Sequence, residues 1–180
     1  MNERKHRPAA GGNKHRGQRP PAPPAPPRVP RATARTVAFE VMRAVHEDDA
    51  FANLLLPRSI ERAGLSTADA ALATELTYGT LRRQGYYDAV IALAASRPVD
   101  QIDSPILDAL RLGAHQLLST RVASHAAVNE SVDLARSVTG QSTAGFVNAV
   151  LRTISRDAPE SWLERVLEGA RSDDERLSLE

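Results

Sequence analysis

The sequence predicts an all-α protein, a bundle of about seven helices behind a disordered N-terminal tail. Three observations carry this. Only 4% of the 180 residues are aromatic although 42% are hydrophobic, so the core must be built from Ala, Leu, Val and Ile. Helices use that set better than sheets, whose strands lean on β-branched and aromatic side chains. From Thr33 onward apolar residues recur at three- and four-residue spacing, which gathers them on one helix face. Finally, no run alternates apolar and polar with the period of two that a half-buried strand needs, and there is no internal repeat.

Residues 1–30 are the exception to the helical pattern. They hold eight of the twelve prolines and almost no large apolar residue, so nothing offsets the entropy of ordering them. Pro20 to Pro30 is predicted to be a polyproline II spacer at ~3.1 Å per residue. Charge is divided along the chain in the same way. Residues 1–31 carry eight Lys/Arg against one acid, giving +7; residues 32–156 carry twelve Arg against thirteen acids, giving −1; residues 157–180 carry three Arg against eight acids, giving −5. The expected organisation is a basic, Pro-rich tail (1–30), a helical domain (31–157) and an acidic helical extension or linker (158–180).

Each helix has its own start and stop signals. A first helix begins at Thr33, buries Ala34, Val37, Ala38, Val41, Ala44 and Val45, and ends near Glu47. Pro57 suits the first turn of a short second helix that Gly64 stops. Ser66 caps a third, with Asp69 three residues on; it runs to about Arg83, Gly85 breaks it, and 86–95 forms a fourth. Ser104-Pro105 reads as cap plus first position. The stripe behind it, Ile106, Leu107, Leu110, Ala114, Leu117 and Leu118, with Leu112 on another side, marks 105–119 as the central helix. Ser124 caps the next, which ends near Gly140. A last core helix starts near Thr143 and carries Phe146, Val147, Val150, Leu151 and Ile154. Pro159 opens a weaker amphipathic segment with Trp162, Leu163, Val166 and Leu167.

Several chemistries are excluded by what the sequence lacks. Without Cys there is no disulfide, thiolate metal site or thiol nucleophile in this chain. There is no G-x-G or Walker loop to hold a dinucleotide, adenosylmethionine or nucleotide phosphate, and no H-E-x-x-H. No apolar run approaches the ~20 residues that span a bilayer, and no apolar segment follows the basic N-terminus as a secretory signal would require. A cytoplasmic protein without membrane partners is the expectation. His115 and His125 read as partly exposed or capped helix-surface histidines, and Glu47-Asp48-Asp49 as a solvated run.

Seven strings, in order and spacing, carry a resemblance. A-F-E-V-M-R-A-V (38–45), A-N-L-L-L-P (52–57), E-L-T-Y-G-T-L-R-R (75–83), Y-D-A-V-I (87–91), L-R-L-G-A-H-Q-L-L (110–118), H-A-A-V-N-E-S-V-D-L-A-R (125–136) and G-F-V-N-A-V-L-R (145–152) resemble the NusB-like N-terminal domain of the Fmu/Sun class of 16S rRNA cytosine-5 methyltransferases. The likeness covers about residues 33–156. It implies a NusB-like bundle that binds ribosomal RNA and helps present it to a downstream methyltransferase domain. In that domain S-adenosylmethionine binds and a Cys thiolate attacks the cytosine. This chain has neither the thiol nor a loop for the cofactor, so it reads as a piece of a longer enzyme, without catalytic residues, cofactor or metal of its own. A stand-alone NusB-type antitermination factor and a helical protein-interaction module are the alternatives; the oligomeric state stays open.

Candidate RNA-binding residues are cationic. Arg4, Lys5, Arg7, Lys14, Arg16 and Arg19 populate the basic arm, which suits the tracking of a phosphate backbone. Arg31 and Arg35 lie four apart at the front of the first helix, where the resemblance implies RNA contact, and Arg82 matches the family's Arg after Y-G-T-L. Asn129, Glu130 and Asn148 read as interior polar residues that tie helices together. Tyr78, Tyr86 and Tyr87 read as core.

Overall fold

A computed structural model of the chain describes residues 32–169. The expectations for the tail, and for the cations Arg4, Lys5, Arg7, Lys14, Arg16, Arg19 and Arg31, lie outside the described residues. Among those described there are eight α-helices and no strand: α1 (Ala34–Asp48), α2 (Ala52–Ala63), α3 (Thr67–Arg82), α4 (Gln84–Ala95), α5 (Ser104–Ser119), α6 (Ser124–Thr139), α7 (Gln141–Ser155) and α8 (Pro159–Gly169). A 3-10 turn, Val99–Gln101, lies between α4 and α5.

The ends of these helices are where local chemistry and tertiary packing part company. Thr33 caps α1 through a reciprocal pair with Thr36, and Ser66 accepts from the Asp69 N–H as expected. Gly64, at φ 61°, closes α2 in the left-handed conformation. Pro57, by contrast, sits inside α2, which starts five residues earlier at Ala52. The carbonyl that loses its partner to the proline belongs to Asn53, and both residues are exposed, so solvent can take the freed group. The break between α3 and α4 falls at Arg83 (φ −113°, ψ 22°) and not at Gly85, which is helical. Ser104 and Ser124 are the first helical residues rather than caps; the N-caps are Asp103 and Ala123, and neither makes a side-chain cap. The Ser104 hydroxyl instead accepts from Arg43 at 2.6 Å.

Helix α5 is the centre of the body: every residue from Ile106 to Gln116 is buried. Two of its contacts explain glycines in the sequence strings. A Cβ on Gly113 would stand 2.7 Å from both methyls of Leu151 on α7 and 3.1 Å from Ser131 Oγ on α6. A Cβ on Gly79 of α3 would stand 2.3 Å from the ring of His115. Only a missing side chain lets these helices approach so closely. Around α5 the main core gathers Leu76, Tyr87, Ile91, Leu110, Leu151 and Ile154, each burial being worth roughly 1.5–3 kcal/mol. A smaller second core, Ala34, Val37, Val41, Leu56 and Ala73, joins α1, α2 and α3. Helix α1 serves both, since Ala38, Phe39 and Met42 face the main one. Helix α8 is packed into the body: Trp162 and Val166 belong to the main core, and the indole N–H donates to the Ile154 carbonyl at 2.9 Å.

The interior also holds charge. Asp108 of α5 is fully buried and accepts from Arg43 of α1 and Arg111 of α5, each at 2.9 Å. Arg111 continues as a two-pronged pair to Asp88 of α4, both contacts at 2.7 Å. Arg43 also pairs with Glu47. Burial works against the Arg111 charge, yet Asp88 and Asp108 outweigh it and hold its pKa above the ordinary value. This chain of ions pins α1, α4 and α5 to one another.

Candidate nucleic-acid interface

Arg35 and Arg82 are the sequence-selected cations that fall within the described residues, and the fold treats them differently. Arg35 is turned onto the body: its Nε donates to Gln116 Oε1 at 2.8 Å and its Nη1 lies 2.6 Å from Glu130 Oε2. It latches α1 to α5 and α6. Arg82 is exposed in the last turn of α3. Its neighbour Arg83 stacks over the Tyr86 ring at 4.8 Å and donates to Ser119 Oγ at 3.2 Å.

Beneath Arg82 and Arg83 lies a buried polar network. His115 is buried, not on the surface as its sequence setting suggests, because α5 is covered on all sides. Its Nδ1 pairs with the Tyr87 hydroxyl at 2.8 Å, and that hydroxyl also meets Ser119 Oγ at 2.8 Å. Burial pushes the His115 pKa below the ordinary value of 6.5, Glu75 opposes the shift, and Arg83 and Arg82 add to it. Burial raises the Tyr87 and Tyr86 hydroxyls above their usual range. Its ring packs against Gly79 and edge-on to Tyr87. Tyr86 and Tyr87 are core, as expected; Tyr78 packs at the edge of the second core.

A concave, polar feature is the outer groove between α6 and α7. Gly140, at φ 90°, turns the chain so that α7 returns beside α6. His125 and Asn129 lie four apart on α6; Asn148, Arg152 and Arg156 continue at the same spacing from α7 to its C-cap. Four-residue spacing stacks each set on one face, and the two faces meet across the groove. One half, near 410 Å³, is lined by Ser124, His125, Val128, Asn129, Arg152, Ser155 and Arg156. The other half, near 600 Å³, runs from Asn129 past Asp133 and Arg136 to Gln141, Gly145 and Asn148. Asn148 Oδ1 accepts from Arg152 Nε at 3.3 Å.

The structure corrects the reading of Asn129, Glu130 and Asn148 as interior residues; Glu130 does tie α6 to α1, through Arg35, but from the surface. Asn129 and Glu130 are exposed, Asn148 is half-buried, and the asparagines line the groove. It also brings forward Arg152 and Arg156, which sequence reasoning passed over. Their signal was available as an Asn-Arg-Arg stripe at i, i+4, i+8. What was missing was the knowledge that α6 places a matching polar stripe opposite.

Comparison with known proteins places these features in context. The NusB family model matches residues 32–156. A putative methyltransferase of Mycobacterium tuberculosis is 50% identical over 140 residues, which are 78% of this chain and 31% of that protein. A probable ribosomal RNA small subunit methyltransferase B of Synechocystis is 32% identical over 125 residues, 69% of this chain and 28% of that one. Its namesake in Bacillus subtilis is 30% identical over 131 residues, with shares of 72% and 29%. The chain thus spans under a third of the length of these relatives. Among solved structures, a chain of the "Crystal Structure of a Plectonemic RNA Supercoil" superposes with a TM-score of 0.64 at 22% identity, covering 68% of this chain and 91% of that one. The likeness is one of fold.

Proposed function

This chain belongs to the NusB family, and we propose that it is an RNA-binding front domain that helps present ribosomal RNA to an S-adenosylmethionine-dependent cytosine-5 methyltransferase domain of a longer protein. The observation that carries this reading is the alignment of the chain with under a third of proteins named as small-subunit rRNA methyltransferases. Its partners are then ribosomal RNA and the parent's own methyltransferase domain, in the cytoplasm. The methyl donor belongs to that other domain. The described residues form helices without a strand, so they offer no strand-to-helix turn of the kind that cradles such a cofactor, and the sequence contains no Cys to attack the base.

Electrostatics supports RNA as the ligand. Six cations, Arg4, Lys5, Arg7, Lys14, Arg16 and Arg19, stand within the first 19 residues, and each can neutralise one phosphate. Arg31 and the exposed Arg82 are further candidates for phosphate contact. Arg35 would have to leave Glu130 to join them, so it contributes less.

The test is a fluorescence-anisotropy titration of labelled single-stranded ribosomal RNA across a salt series. Deleting residues 1–19 is expected to flatten the slope of log affinity against log salt by about four units, at roughly 0.7 per phosphate. An unchanged slope removes the tail from the interface. Failure of the whole chain to bind at low salt refutes the RNA reading itself.

A further inference from the structure

We infer that the acid-free half of the α6–α7 groove is a second RNA site, borne by the helical body. In it Arg152 and Arg156 hold consecutive phosphates of a single strand while Asn129 and His125 face the sugar and base. The inference rests on the RNA-binding reading above and adds to it a site that does not depend on the tail.

The first argument is pairing. Arg35, Arg43, Arg111, Arg136 and Arg165 each have a carboxylate partner. Among the described residues, none pairs with Arg152 or Arg156. No acid lines their half of the groove, whereas in the other half Arg136 is already paired with Asp133, so that end offers no open cation. The groove therefore has a polarity along its length, and only one end suits an anion.

The second argument is spacing. Four residues of α-helix rise ~6 Å, a step similar to that between successive phosphates of an extended strand. Two guanidinium forks at that separation can each take a phosphate with paired N–H donors.

The third argument is the nature of the wall. The half-groove measures ≈ 410 Å³, and of its lining residues only Val128 is apolar. A small apolar ligand needs a mostly hydrophobic pocket, and a protein partner needs a buried aromatic or aliphatic anchor; neither is offered. An amide, an imidazole and two hydroxyls (Ser124, Ser155) suit a nucleotide, whose base presents donors and acceptors and a face for stacking.

The control is built into the molecule. Arg58 and Arg62 of α2 are likewise exposed, four apart and without a carboxylate partner among the described residues, but neither lines the α6–α7 groove. The experiment compares the unaltered chain, R152A/R156A, R58A/R62A and R152K/R156K by anisotropy with a labelled single-stranded RNA. Circular dichroism checks that each is folded. The expected result is a loss of about tenfold or more in R152A/R156A at low salt, with the salt slope flatter by about 1.4 units. R58A/R62A should change less than twofold. R152K/R156K should recover the slope but not the full affinity, because an ammonium lacks the planar fork. Equal losses in both alanine pairs would reduce the effect to overall charge and overturn the site. Unchanged RNA binding in R152A/R156A would overturn it while leaving the RNA-binding reading intact. If that variant instead loses binding to polyglutamate while keeping RNA, the groove is a protein-docking surface and the inference is wrong. Absence of RNA binding by the unaltered chain would defeat both readings.

Discussion

Arg43 and Arg111 lie inside the helical body, whereas Arg152 and Arg156 lie on its rim; the same side chain does opposite work in the two places. The inner pair surrounds Asp108, which is fully buried, and reaches Asp88 and Glu47 beyond it. Removing two guanidinium groups from water is costly, and only closely matched carboxylates offset the loss. The outer pair stays hydrated, has no carboxylate partner among the described residues, and faces an acid-free wall. Counting arginines therefore says little about nucleic-acid binding. What matters is whether the fold has already supplied the counter-charge.

The largest effect should come from breaking the inner set. Asp108→Ala takes a carboxylate from two largely desolvated guanidinium groups, leaving Arg111 with Asp88 and Arg43 with the exposed Glu47, and is expected to cost about 3–5 kcal/mol in urea unfolding. A cost below about 1 kcal/mol would mean that water reaches the arginines, and inner and outer pairs would no longer differ in kind. Leu110→Ala tests the apolar part of the same helix. Leu110 is fully buried while Leu117 is half-buried, so the first change should cost about 2–5 kcal/mol and Leu117→Ala clearly less. Equal costs would show that α5 is covered more evenly than its burial indicates.

A smaller effect concerns pH. Burial lowers the folded pKa of His115 from 6.5, so the unfolded chain takes up its proton at a higher pH than the folded one. The neutral ring's contribution is complete above about pH 6.5 and declines as pH falls below it. Melting temperature followed from pH 8 to pH 5 should therefore fall more steeply for the unaltered chain than for His115→Gln. Parallel curves would show that His115 is not the group responsible. The smallest effect belongs to the rim: Arg152→Ala/Arg156→Ala should leave stability within about ±0.5 kcal/mol. A larger loss would mean that the outer arginines also hold the fold together, which would blur the contrast with the inner ones.

Legibility in the sequence followed the range of the interaction. Thr33, Ser66 and Gly64 act within one turn, and their effects were readable. The central helix was readable too, from the stripe Ile106, Leu107 and Leu110 with Leu112 off it; that its polar side, Asp108, Arg111 and His115, is buried as well was not. Pro57 was misread as a helix start because it normally disrupts the turn before it. It is tolerated within α2, where both Pro57 and Asn53, whose carbonyl it orphans, are exposed residues. Ser104 was misread as a cap because Arg43, 61 residues away, takes its hydroxyl.

The sequence by itself determined the helical class, the order of the helices, the central place of α5 and the concentration of positive charge in the first 31 residues. These depend on composition and on periods of three and four, which are local. Only the tertiary structure decided which charges are spent on the fold and which remain open to a ligand. It placed Arg43 and Arg111 around Asp108, buried His115 against Gly79, and set Asn129 opposite Arg152. The physical reason is that a charge is neutralised by whatever lies within a few ångströms of it in space. Contacts such as Arg35 to Gln116, 81 residues apart, leave no trace in local spacing.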